Sequence, residues 1–127
     1  MITKKSNFNV STTINRLENI LNKKGIKIVA KIDHTTAAAS VDMELRPTQL
    51  IIFGNPKIGT PLMQHNQLTG LELPMKVLAW EDKDGDTWVG YHQTKNIINN
   101  LGIQYIPEIT NKISSALDNL TDYAIRD

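Results

Sequence analysis

The sequence has no cysteine, so thiol catalysis, disulfide staples and cysteine-ligated zinc are excluded together. It has no surplus of one charge: 14 Lys and Arg against 13 Asp and Glu leave a formal +1, spread along the chain. A nucleic-acid binder normally carries a basic stripe, and none is visible. The densest basic stretch, Lys23, Lys24, Lys27 and Lys31, reads as the solvated end of a helix and the strand after it. No run approaches the ~20 apolar residues of a membrane span. Residues 1–6 lead into polar sequence rather than an apolar signal segment, so a cytoplasmic location is expected. Aromatic residues are few, at 6%.

What is present is the patterning of one domain over residues 1–127, a length that can bury a core without staples. Met1 to Ser6 reads as a first strand. Asn9 can cap the helix behind it, in which Ile14, Leu17, Ile20 and Leu21 share a face and Gly25 supplies the left-handed stop. Ile26, Ile28, Ala30 and Ile32 alternate with more polar residues, as in a half-buried strand. Thr35 to Asp42 predicts a short helix before the Arg46-Pro47 break. Leu50-Ile51-Ile52-Phe53 predicts a central strand covered on both faces. Residues 57–67 read as a loop or short helix.

Two strands, Met75–Glu81 and Thr87–Gln93, flank Asp84-Gly85, a strong hairpin signal. A two-residue turn there sets Trp80 opposite Val89 and Leu78 opposite Tyr91, and assigns these four to the core. The other face then carries Val77, Ala79, Trp88, Gly90 and His92. After Ile97, Ile98 and Leu101, Pro107 can open a closing helix with Ile109, Ile113, Leu117 and Leu120 on one side. The order implies a two-layer α+β domain with helices on one face of an antiparallel sheet.

Several motifs invite chemistry and fall short of it. Gly54 to Pro61 has the strand–GxxxxG opening of a phosphate loop, but Thr60 and Pro61 stand where Lys and Ser or Thr are needed. Asp82-Lys83-Asp84-Gly85-Asp86 echoes a calcium loop, with its glycine misplaced and Gln93 at the twelfth position. His34, His65 and His92 show no metal-binding spacing, so a metal site would have to be assembled by the fold, and no metal or other cofactor is assigned. His65 reads as solvent-exposed. No serine lies in a nucleophile motif, and no catalytic residue is assigned. The sequons at Asn9 and Asn119 read as a helix cap and a coincidence.

Asp33-His34, Leu45-Arg46-Pro47-Thr48-Gln49-Leu50, Phe53-Gly54-Asn55-Pro56-Lys57 and Gly59-Thr60-Pro61-Leu62-Met63 follow in order along the chain. Behind them come Leu71-Glu72-Leu73-Pro74, then Glu81 to Gly85 with Trp88 and Tyr91. This series resembles the DUF302 (TT1751-like) family over nearly the whole length. The resemblance implies a TBP-like β-α-β(4)-α fold and a homodimer, and brings no established activity. Relatives often have Ala-Gly where this chain has Val41-Asp42-Met43, a departure that implies a different turn.

Three functional readings follow. The first is a dimeric small-molecule binding or sensing module, with Asp33, His34, Asn55, Thr60, Met63 and Glu72 gathered at strand ends. The second is an enzyme using His34 as acid or base with Glu72 in reach, with or without a fold-assembled metal. The third is an interaction protein using the face of Val77, Ala79, Trp88, Gly90 and His92. None involves nucleic acid or a membrane.

Overall fold

The computed structural model describes residues 1–96 and 107–127. Five strands, β1 (Ile2–Ser6), β2 (Lys27–Asp33), β3 (Thr48–Gly54), β4 (Met75–Glu81) and β5 (Thr87–Tyr91), form one antiparallel sheet in the order β1-β5-β4-β3-β2. Helices α1 (Val10–Lys23), α2 (His34–Ala39), α3 (Pro56–His65) and α4 (Pro107–Ile125) alternate with them, and a 3-10 turn, Gln67–Leu71, leads into β4. This is the α+β architecture expected from the sequence. The tail positions Ile97, Ile98 and Leu101 lie outside the described residues.

The helix boundaries have local causes. Asn9 Oδ1 accepts the Thr12 N–H at 2.8 Å, satisfying an orphan donor of α1. Gly25, at φ +68, ends that helix. Asp33 caps α2 by accepting the Thr35 and Thr36 N–H groups. Asp42, beyond α2, holds φ +59, the region that glycine enters freely and other residues enter at a cost.

The core lies between α1, α4 and one sheet face. Ile14, Leu17, Leu21, Ile51, Val77 and Val89 are fully buried in it, with Ile113, Leu117 and Leu120 of α4 against them. Lys4 ties β1 to α4: its Nζ donates to Asp118 Oδ1 at 2.7 Å, Asp122 Oδ1 at 2.8 Å and Thr121 Oγ1 at 2.9 Å. Burial works to lower its pKa, but the hydrogen bonds to Asp118 and Asp122 outweigh burial and hold it above the ordinary lysine value. Arg16 of α1 donates to the carbonyls of Tyr123 and Arg126 at 2.8 Å and lies over the Phe8 and Tyr123 rings, fastening the end of α4.

Three sequence expectations are corrected by the sheet register. First, the β4–β5 connection is five residues, with Glu81 opposite Thr87, Trp80 opposite Trp88 and Leu78 opposite Gly90. Val77, Ala79 and Val89 therefore face the helices, while Leu78, Trp80 and Trp88 lie on the other, half-exposed face. Second, Val29 is an extra residue between the Ile28–Phe53 and Ala30–Ile52 pairs. Such a bulge switches the side-chain alternation. Lys31 thus turns to the helix side, 3.2 Å from Glu18, and Ile32 is left 38% exposed. Third, β4 rather than β3 is the middle strand, and β3 is covered on one face only: Ile51 and Phe53 are buried, Leu50 and Ile52 half-buried.

Candidate functional site

Asp82 explains why the hairpin turn is longer than a two-residue turn. Its Oδ1 accepts the Asp84 and Asp86 N–H groups at 3.0 and 2.9 Å, and its Oδ2 accepts the Trp88 indole N–H at 2.9 Å. The indole hydrogen bond first, then the backbone donors, hold its carboxyl below the usual carboxylate range. The apparent calcium loop is thus a self-satisfied turn. Among the described residues, no group of three or more metal-binding side chains comes together.

The Gly54–Pro61 segment is likewise spent on its own backbone. Asn55 caps α3, its Oδ1 accepting the Lys57 N–H at 3.0 Å, while the Ile58 and Gly59 N–H groups both donate to Asn55 O at 2.9 Å. Pro56 and Pro61 have no N–H to offer. No cradle of free amides is left for a phosphate.

What this segment builds instead is one wall of a cavity. The two sequence blocks 53–63 and 71–74 pack on each other. A Cβ added at Gly54 would stand 3.2 Å from Pro74, and one at Gly59 would stand 3.5 Å from Leu73. Between these blocks and α4 lies a cavity of about 380 Å³. Phe53, Ile58, Met63, Leu73 and Met75 line it from the sheet and α3 side. Ile113, Ala116, Leu117 and Leu120 line it from α4. Its polar contributors are few, namely Asn55, Thr60 and Lys27, and no carboxylate or histidine is among its described walls.

The six residues predicted to form a strand-end cluster are only partly brought together. Asn55, Thr60 and Met63 line the cavity. Glu72 follows the 3-10 turn at the same end of the sheet but is not part of the wall. Asp33 and His34 lie at the opposite end of the β2–β3 ladder, which pairs Lys27 with Gly54 and Asp33 with Gln49. Seven residues at ~3.4 Å per residue set the two ends roughly 20 Å apart. His34 opens α2 and Asp33 caps it, so neither meets Glu72. The α4 wall was visible in the sequence only as an amphipathic helix.

The predicted interaction face is also rearranged. Val77 and Ala79 are 0% exposed, so they belong to the core and to no open surface. Trp88 is on the half-exposed face, Gly90 lies beneath the Trp80 ring, and His92 lies exposed just past β5. His65 is exposed at the end of α3, as expected.

Comparison with known proteins places this geometry. The family described as "Domain of unknown function DUF302" matches residues 2–121. A crystal structure of a conserved DUF302 protein from Bacillus stearothermophilus superposes with a TM-score of 0.86 at 21% identity, over 97% of this chain and 96% of that one. Two curated relatives, each named a fluoride-specific ion channel FluC 1, are 40% identical over 89 residues, 70% of this chain. They come from Brucella suis biovar 1 (strain 1330), where the match covers 35% of the relative, and Brucella abortus biovar 1 (strain 9-941), where it covers 33%. The chain spans about a third of the length of these curated relatives.

Proposed function

Because this chain belongs to the DUF302 family, which is defined by sequence and fold rather than by a reaction, we propose from the cavity that it is a small-molecule binding or sensing module acting as a dimer. One observation carries this reading. The residues that mark the family resemblance, from Phe53 to Met63 and from Leu73 to Pro74, converge on a mostly apolar cavity of about 380 Å³. That volume falls within the ~300–1,000 Å³ of small-molecule sites. An apolar wall with a few polar atoms favours a ligand with a hydrocarbon or aromatic body, oriented by Asn55 and Thr60. The histidine-dependent enzyme loses its motivation, since His34 and Glu72 are at opposite ends of the sheet. The lack of cysteine suits a reducing, cytoplasmic compartment. In the Brucella chains a domain of this kind shares a polypeptide with other sequence, which suits a sensing module.

The test is binding of a fluorescent apolar probe, anilinonaphthalene sulfonate, to wild type and to Ala116→Phe. A phenyl ring at 116 fills the cavity from α4. Loss of probe binding with unchanged circular dichroism supports the reading. Undiminished binding places the probe elsewhere and sinks it.

The dimer rests on the half-exposed sheet face bearing Leu50, Leu78, Trp80 and Trp88. Five strands at ~4.8 Å spacing, five to seven residues long, give a face of roughly 400–550 Å². A standard interface needs ~800 Å² per partner, so flanking apolar residues must join it. Val41, Met43 and Leu45, exposed on the way into β3, are available. Sedimentation at micromolar concentration should give a dimer for wild type and a monomer for Leu50→Glu. A monomeric wild type refutes this part.

A further inference from the structure

The cavity between α3 and α4 has an apolar end and a polar end. Its floor is hydrocarbon: Phe53, Ile113, Leu117 and Leu120 are 3%, 4%, 2% and 2% exposed. Its polar walls, Lys27, Asn55 and Thr60, are all exposed. A molecule with one apolar and one polar end fits that arrangement: the apolar end leaves water for the floor, and the polar end stays hydrated at the rim.

The rim selects the charge of the polar end. Lys27 is the one charged side chain among the described walls, and it joins no ion pair among the described residues. Asn55 Oδ1 is spent on the Lys57 N–H, which leaves the side-chain NH2 of Asn55 to donate. The Thr60 hydroxyl can donate as well. With no carboxylate among the described walls, the rim offers donors and positive charge, the complement of an anionic, hydrogen-bond-accepting head.

The walls select the tail. Apart from Phe53, the described apolar walls are aliphatic. Met63 and Met75 among them are unbranched thioethers that adapt to a flexible chain. Val29, 53% exposed on the edge strand β2, carries the apolar wall out to the rim. A cavity of about 380 Å³ takes roughly a dozen groups the size of a water molecule, ~30 Å³ each, which suits one chain rather than two.

We propose, on the small-molecule reading of this cavity, that its ligand is a single-chain aliphatic carboxylate of medium length. The tail lies between α3 and α4, and the carboxylate meets Lys27, Asn55 and Thr60.

The experiment is isothermal titration of the full chain at neutral pH and low ionic strength with hexanoate, octanoate and decanoate, and with decylamine, which carries a tail of the same size under the opposite charge. Carboxylate affinity should rise about fourfold for each added methylene. Decanoate should bind about three- to tenfold tighter than decylamine, because the exchange turns an attractive pair at the rim into like charges. Lys27→Glu, on an exposed side chain, should reverse that order. Ala116→Phe should abolish binding of both. Equal binding of decanoate and decylamine to wild type, or an order unmoved by Lys27→Glu, overturns the proposal and leaves the small-molecule reading standing. So does failure of both to bind while anilinonaphthalene sulfonate still does. Undiminished decanoate binding by Ala116→Phe places the tail elsewhere and also overturns the proposal. Absence of binding by every probe overturns the proposal and the small-molecule reading together.

Discussion

Substituting Gly90 by Ala tests the cross-strand contact that the corrected register creates. A Cβ built at Gly90 would stand 2.9 Å from Trp80 Cζ3 and 3.1 Å from Cη2, with Ile2 O next at 3.6 Å. Ordinary carbon contacts begin near 3.5 Å, so the indole must lift by about half an ångström or swing toward solvent. Overpacking of this kind costs ~1–3 kcal/mol, and an indole on a half-exposed face relaxes toward the lower end. Against that, Ala is favoured over Gly in a strand by ~0.5–1 kcal/mol. Gly90→Ala should therefore destabilise the protein by about 1 kcal/mol. In a Trp80→Ala background the obstruction is gone, and the same substitution should stabilise by about 0.5 kcal/mol. The coupling of about 1.5 kcal/mol is read from a double-mutant cycle of urea unfolding followed by far-UV circular dichroism. Equal destabilisation in both backgrounds would refute the reasoning, because the need for glycine would then lie with the Ile2 carbonyl or the backbone rather than with Trp80.

Other parts of the structure make equally specific demands. Asp42→Gly relieves a left-handed residue worth ~1–2 kcal/mol while raising unfolded-state entropy by ~0.5–1 kcal/mol, so stability should rise by about 0.5 kcal/mol, read as a higher urea midpoint with an unchanged slope. Lys4→Met removes hydrogen bonds to two carboxylates and leaves Asp118 facing Asp122, at a cost of ~1.5–3 kcal/mol in the same assay. The folded pKa of Lys4 is raised, so its contribution is fully present below 10.5 and fades as pH rises through the folded value. The stability difference between wild type and Lys4→Met should accordingly shrink above pH 10.5. Asp82 is the opposite case: its folded pKa is depressed, so its contribution is present above the ordinary aspartate value of 3.8 and is lost as pH falls through the folded value. Acid titration of the tryptophan fluorescence should show Trp88 released in that window, and Asp82→Ala should remove the step.

The sequence was most legible where one residue decides local geometry. Asn9, Gly25 and Pro107 mark helix ends by capping chemistry that acts over three or four residues. The family resemblance carried the fold. The errors came where a single side chain changes register. Asp82 draws three donors into a five-residue turn, which turns Leu78 and Trp80 away from the core and Val77 and Ala79 into it. Val29 inserts one residue into β2 and exposes Ile32. Asn55, Thr60 and Met63 share one cavity wall because turn residues after an apolar strand gather at a sheet end. The α4 wall could not be added, since it depends on how distant elements stack.

The strand order has a consequence for synthesis. β1 pairs with β5, so Ile2 meets Tyr91, while β2, β3, β4 and β5 each pair with a neighbour in sequence. β1 is thus an edge without a partner while about 90 more residues are made, roughly 5–20 s at typical elongation rates. Long-range pairing of this kind pays its loop-closure entropy before any contact rewards it. Lys4 and Lys5 sit on that waiting strand, and charge on an unpaired edge discourages pairing with other chains. Lys4 finds Asp118 and Asp122 only when α4 emerges, so α4 is the latch that retains β1.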